Sequence, residues 1–213
     1  MNNKIKIQDF ENQFDNDRYS FLIWLDENQE VFKTNFRETL SILIVGNSSY
    51  EIDNFIETLI YQFEKKNIDL HVIDIKKQFS LKETNFLLTN IINERFDNLE
   101  LWDKSLNPIV IIVNEWVDLL LENKSLYKLF EEIICRGKAF GVYLIATTTN
   151  FNTEILKSIL TKNILTKISF KVDTKEESKM ILNQDMGGSE NLLGTGDMLF
   201  LPLGIKRIQA FRN

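Results

Sequence analysis

Between an apolar run and a stretch with helical periodicity the chain reads Gly46-Asn47-Ser48-Ser49-Tyr50-Glu51-Ile52-Asp53, the position and length of a phosphate-binding loop. Such a loop needs several glycines so that backbone amides can converge on phosphate, then a lysine to neutralise charge and a hydroxyl to hold magnesium. Only Gly46 meets that need, because Ile52 stands at the lysine position and Asp53 at the hydroxyl position. The replacements have a chemistry of their own. Ser48 and Glu51 have the spacing of a capping box, and Glu51 with Asp53 puts negative charge in the first helical turn. Those groups satisfy the amides and dipole that a phosphate would engage, and they repel a polyphosphate. The sequence therefore predicts a self-capped structural turn, with Gly46, Ser49, Glu51, Ile52 and Asp53 as degenerate nucleotide-loop positions.

A second signature lies at Ile109-Val110-Ile111-Ile112-Val113-Asn114-Glu115. An active site of this kind uses a carboxylate at the penultimate position to organise magnesium and a following glutamate to activate water. Asn114 offers an amide where that first charge belongs, so it is a degenerate metal-site position. Glu115 is the one catalytic candidate, a vestigial one, because without positioned metal and phosphate it has no reaction to promote. Thr147-Thr148-Thr149-Asn150 follows another apolar run, where loop turns and a helix cap account for the hydroxyls. Asp74 and Lys76 close an apolar segment and suit a solvated strand end. The single histidine, His71, sits between Leu70 and Val72 and reads as structural. The single cysteine, Cys135, follows Ile133 and Ile134 on a helical stretch and reads as a buried thiol. With one histidine and one cysteine, no zinc site and no intrachain disulfide framework are expected.

The elements that position these groups follow from periodicity. A strand at Phe21–Leu25, the turn-prone Asp26-Glu27-Asn28 and a short extended segment at Val31-Phe32 predict an N-terminal hairpin within residues 18–38. Ser41 to Gly46 reads as a buried strand. Ile52, Phe55, Ile56, Leu59, Ile60 and Phe63 recur at helical spacing and predict a helix of about four turns. Leu70 to Ile75 reads as a strand, and Phe86, Leu87, Ile91, Ile92 and Phe96 as one face of a helix. Pro108 introduces the central strand Ile109–Val113. A helix at Leu126–Arg136, a strand at Val142–Ala146, a helix at Glu154–Leu160 and an extended Leu165–Val172 come next. Thr174 and Glu177 form a second capping box, and Met198–Leu201 with Ile208–Phe211 read as a terminal hairpin. Apolar strands alternating with amphipathic helices require cover on both sheet faces. The fold class is accordingly α/β, a three-layer sandwich with a mostly parallel central sheet and antiparallel terminal strands, over one domain spanning 1–213.

The totals bound the function. Of 213 residues 44% are apolar, enough for a sizeable core. No run approaches the 18 uninterrupted apolar residues of a membrane span, and the first residues lead into charged sequence unlike a signal peptide. The formal charge is −6, with 25 Lys and Arg scattered among 31 Asp and Glu. A duplex-binding surface concentrates positive charge, so electrostatics give DNA binding no support.

Arg136-Gly137-Lys138-Ala139-Phe140-Gly141-Val142-Tyr143-Leu144-Ile145-Ala146-Thr147 and Leu193-Gly194-Thr195-Gly196-Asp197-Met198-Leu199-Phe200-Leu201-Pro202, together with Phe21–Glu27, Ser41–Gly46 and Ile109–Glu115, resemble the FtsK/SpoIIIE family over about nine tenths of the chain. The start of the chain looks like the branch found in type VII secretion coupling proteins. The resemblance implies a P-loop NTPase, RecA-like fold and a ring or tandem-domain assembly. It also marks departures: Thr148 where active relatives place a glutamine, and Lys167 and Lys179 where they favour arginines, so the coupling and sensor positions are weakened. It implies a non-hydrolysing module of a type VII secretion coupling protein, acting in substrate recognition, assembly or regulation of neighbouring motor domains. Its expected partners are neighbouring ATPase domains or subunits and secreted protein substrates, with DNA the weaker choice. No cofactor is expected, ATP and magnesium entering only through an unusual or composite site. Its expected place is a cytoplasmic domain within a larger membrane-associated protein. A degenerate DNA-translocase subunit and an ATPase using a composite site are the alternatives.

Overall fold

The computed structural model describes residues 6–25, 30–74, 80–96, 107–158, 162–182, 188–201 and 206–211. Nine strands form one sheet: β1 (Ser20–Leu25), β2 (Val31–Asn35), β3 (Ile42–Val45), β4 (Asp69–Asp74), β5 (Ile109–Asn114), β6 (Val142–Thr148), β7 (Thr166–Ser169), β8 (Asp197–Leu201) and β9 (Lys206–Ala210). The helices are α1 (Phe36–Thr39), α2 (Ser49–Lys65), α3 (Leu81–Phe96), α4 (Trp116–Glu122), α5 (Leu126–Arg136), α6 (Thr153–Leu156) and α7 (Lys175–Leu182).

The sheet order is β2-β1-β9-β8-β7-β3-β6-β5-β4. From β7 through β4 neighbours are parallel; from β7 back to β2 they are antiparallel. The central parallel strands β3, β5 and β6 are apolar on both faces, as crossover helices require. Along β3, Leu43 and Val45 enter one core cluster while Ile42 and Ile44 enter the other. Side chains alternate across a strand, so these clusters occupy opposite faces. Phe55, Ile56, Leu59 and Phe63 of α2 pack in the second cluster, each such burial stabilising by about 1.5–3 kcal/mol. Helices α3 to α7 contribute to the first. The result is the three-layer α/β sandwich that periodicity implied. The hairpin within 18–38 joins the same sheet, because β1 pairs with β9 as well as β2.

Several local expectations are corrected. Phe86 is 69% exposed, because the buried stripe of α3 runs through Thr84, Leu88, Ile91, Ile92 and Arg95. At 100° per residue Phe86 points nearly opposite Leu88. Cys135 is exposed, with its sulfur accepting from Asn163 Nδ2 at 3.6 Å. It lies on the outward side of α5, whose buried residues are Leu126, Phe130 and Ile133. α6 is a single turn and β7 has four residues, both shorter than their apolar runs suggested. α4 follows β5 directly and had no recognisable start signal. Residues 26–28, Ile75, Lys76, Leu160 and Pro202 lie outside the described residues.

Candidate functional site

The carboxyl ends of β3, β5 and β6 bring the two degenerate signatures to one edge of the sheet. β6 lies between β3 and β5. At the end of β3 the main chain turns at Gly46, whose N–H donates to Thr148 O at 3.4 Å while Asn47 N–H donates to Lys171 O at 3.0 Å. A Cβ at Gly46 would stand 2.7 Å from the Cβ of Phe170. Sheet packing therefore demands glycine here irrespective of any ligand.

Helix α2 then begins with Ser48 as its cap, the Ser48 hydroxyl accepting from Glu51 N at 3.3 Å. The expected box closes only on that side. Glu51 turns its carboxylate away from the cap and accepts from Gly196 N at 2.7 Å. Gly196 is buried in a turn where Gly194, Thr195 and Gly196 all have positive φ, of 78°, 58° and 92°. A β-branched residue such as Thr195 rarely takes that conformation, and several bonds hold it. Asp197 N donates to Gly194 O at 3.2 Å and Ala210 N to Gly196 O at 2.8 Å. Gln209 Nε2 donates to Thr195 O at 3.0 Å. Asp197 accepts from Leu193 N at 2.8 Å and pairs with Arg207 through two bonds of 3.0 and 2.5 Å. Burial alone would raise the Asp197 carboxyl, but the Arg207 and Leu193 donors outweigh it and hold its pKa below the usual carboxylate value.

The remaining positions around this turn divide between core packing, exposure and local hydrogen bonds. Ile52 is 2% exposed inside the α2-side core, Asp53 and Ser49 are exposed, and Tyr50 is 71% exposed. At the end of β5, Asn114 Nδ2 donates to Asp74 at 3.4 Å while its Oδ1 is buried without a donor among the described residues. Glu115 has left-handed backbone geometry, φ 52° and ψ 50°. Its carboxylate accepts from Thr149 N at 2.9 Å and Thr149 Oγ1 at 2.8 Å. Thr148 is fully buried, and its hydroxyl accepts from Asn150 N at 3.0 Å to close a local turn. Asn152 caps α6 through Ile155 N at 3.1 Å.

Lys167 and Lys179 are not part of this edge cluster. Lys167 pairs in register with Leu43 of β3 and Leu201 of β8, and burial lowers its pKa. Lys179 is exposed on α7. His71 lies on the edge strand β4 and contacts Asp69 at 3.2 Å.

A magnesium-bound polyphosphate needs a free amide cradle, a cation and a metal-binding hydroxyl. Here a carboxylate from the loop's own helix reaches into the neighbouring turn, the cation position is apolar and buried, and the carboxylate strand end is an amide. These residues do not fit that group. The two sequence signatures lie at this one edge, but their spacing gave no sign of Gly196 and Thr149 as the partners of Glu51 and Glu115. The paired glycines around Thr195 were the available signal for an unusual turn.

A 97-residue stretch, 45% of the chain, is 38% identical to the DNA translocase FtsK of Vibrio vulnificus (strain CMCP6). Another alignment, over 103 residues, is 39% identical to the DNA translocase SpoIIIE of Bacillus subtilis (strain 168). Over these stretches the chain is similar to the FtsK/SpoIIIE translocases. It spans about a tenth of the length of these relatives, 10% and 12% respectively, and no protein-family model matches it. Among solved structures, the pCW3 conjugation coupling protein TcpA with ATPγS superposes with a TM-score of 0.84 at 13% identity, covering 95% of this chain and 68% of that one. EccC (ATPases 2 and 3) of Thermomonospora curvata in complex with a signal sequence peptide gives 0.73 at 12% identity, covering 100% and 44%. EssC (ATPases 2 and 3) of Geobacillus thermodenitrificans gives 0.72 at 14%, covering 91% and 44%. At such identities the likeness is one of fold, the RecA-like P-loop ATPase fold. Among the described residues no helix is long and apolar enough to cross a membrane.

Proposed function

We propose that this FtsK/SpoIIIE relative is a non-hydrolysing ATPase-fold module that works through contacts with neighbouring ATPase domains, regulating or assembling them. The observation that carries this reading is the Glu51 carboxylate bonded to Gly196 N, beside an Ile52 buried in the core. A glutamate there supplies the charge that a phosphate would otherwise bring, and an apolar side chain withholds the cation that phosphate needs. Asn114 and the engaged Glu115 extend the same reading to the metal and water positions. The solved EccC and EssC relatives comprise ATPases 2 and 3, which supports tandem neighbours as partners. A cytoplasmic position within a type VII secretion coupling protein, with secreted proteins as cargo, belongs to the same proposal.

Isothermal titration of ATP into the purified chain, with and without magnesium, tests it together with pull-down of adjacent ATPase domains. The expected result is no saturable heat and retention of the partner without nucleotide. Magnesium-dependent ATP binding followed by turnover that disappears in Glu115→Gln would sink the proposal. A degenerate subunit of a DNA translocase is the second reading, favoured by the identity of 38% to FtsK over 97 residues. It requires salt-dependent binding to duplex DNA, and absence of binding across low and moderate salt eliminates it.

A further inference from the structure

The opposite edge of the sheet contains a buried cation with an unused donor. Arg95 lies in the last turn of α3 and is 8% exposed. Its Nη2 donates to the main-chain oxygen of Asn107 at 3.2 Å, whereas Nη1 is buried with no hydrogen-bond partner among the described residues. A guanidinium carries a delocalised positive charge spread over five N–H donors. Burying one is costly unless it is paired, and an orphaned buried donor in a folded protein calls for a physical reason, a bound ion being one. The carbonyl end of α3 offsets part of the charge through the helix dipole. That field does not satisfy the Nη1 hydrogens.

A second guanidinium converges on the same residue. Arg18 is exposed, and its Nη1 donates to Asn107 Oδ1 at 2.9 Å, while Asn107 Nδ2 donates to Asn67 O at 3.3 Å. Asn107 is thus a bridge between an exposed cation and a buried one. Arg136 adds positive charge nearby, its guanidinium 5.0 Å from the ring centroid of Phe96, although its Nη1 also meets Glu132 at 4.0 Å. Among the described residues no carboxylate closes the Arg18 to Arg95 cluster.

We propose that Arg95 and Arg18 form a recognition site for an oxyanion, a carboxylate or phosphate group, at the start of β5. The planar fork of arginine matches both groups with paired hydrogen bonds, and partial burial strengthens them. The site is separated from the phosphate-loop edge by the length of β5, roughly 20 Å at about 3.3 Å per residue. It stands independently of whether the chain binds ATP.

Thermal unfolding and calorimetry of the intact chain, titrated with sodium phosphate or sodium acetate at ionic strength held constant with chloride, test the site. The wild type is expected to show a saturable rise in Tm with at least one of the two. A response to phosphate alone assigns phosphate groups, and a response to acetate assigns carboxylates. Arg18→Gln should weaken the response about tenfold, the loss of one charge-assisted contact, and Arg95→Met should abolish it. Should Arg95→Met fail to fold, Arg95→Lys keeps the charge but loses the fork and must weaken the response at least as much. The Arg95 Nε resonance of the wild type must also move in step with the anion. No response to either anion beyond chloride, an equal response without the Arg95 guanidinium, or an Arg95 resonance that stays fixed while Tm rises would overturn the proposal.

Discussion

Helices α2 and α7 start with the same local signature and finish it differently. At α7, Thr174 Oγ1 accepts from Glu177 N at 3.2 Å, and Glu177 accepts from Thr174 N at 3.0 Å and from Asp173 N at 3.1 Å. That box closes on itself at the exposed end of a two-turn helix. At α2 the Ser48 half forms, but Glu51 reaches a glycine 145 positions away. The difference is the availability of a tertiary donor. Gly196 presents a buried N–H that would cost about 1–3 kcal/mol if left unpaired, whereas water can serve the amides around Thr174. A helix start becomes a cross-link when a strained turn beside it lacks an acceptor.

The largest way to break this contrast is to restore a lysine at the loop. Ile52→Lys should destabilise the chain by about 2–4 kcal/mol, because it replaces a buried apolar side chain with an ammonium. Guanidinium chloride unfolding should show it, and calorimetry should find no gain of ATP binding with it. Gly46→Ala comes next, at about 1–3 kcal/mol, since its Cβ would press against the backbone-proximal Cβ of fully buried Phe170. Glu51→Ala and Glu177→Ala sharpen the comparison directly. The first should cost about 1–3 kcal/mol and raise exchange at the Gly196 amide. The second should cost about 0.5–1 kcal/mol and affect only α7. Equal costs would mean that Glu51 is an ordinary cap residue.

The smallest effect is on pH dependence. Asp197 is depressed in the folded protein, so its contribution is present above the unfolded carboxylate value of about 3.9 and is lost as pH falls through the lower folded value. The Leu193 amide, which donates to Asp197, should therefore shift between about pH 4 and more acidic conditions. A Leu193 resonance that stays constant over that pH range while the chain is still folded would remove Asp197 from the account of the turn.

Much of this architecture was legible because its information is local. The four apolar residues of β3, the α2 stripe from Ile52 to Phe63 and the Ile109–Val113 run each carry their own period. Thr174 and Glu177 also find their partners within four residues. The phase of α3 was misread because Phe86 is large but Leu88 and Arg95 decide which side faces inward. α4 escaped notice because Glu115, in left-handed geometry, turns β5 directly into a helix without a side-chain cap. At the candidate site, sequence spacing located Glu51, Ile52, Asn114 and Glu115 on one edge. What engages them lies elsewhere in the chain, Gly196 for Glu51 and Thr149 for Glu115. No local pattern encodes those pairings.

The central claim is that the loop between β3 and α2 is completed from within the chain. Amide NMR of the wild-type protein during a titration with magnesium and ATP tests it at the atoms concerned. The Ser48, Glu51 and Gly196 resonances are expected to remain where they are at millimolar nucleotide. Saturable shifts confined to those amides, with Gly196 losing its protection as ATP binds, would contradict it.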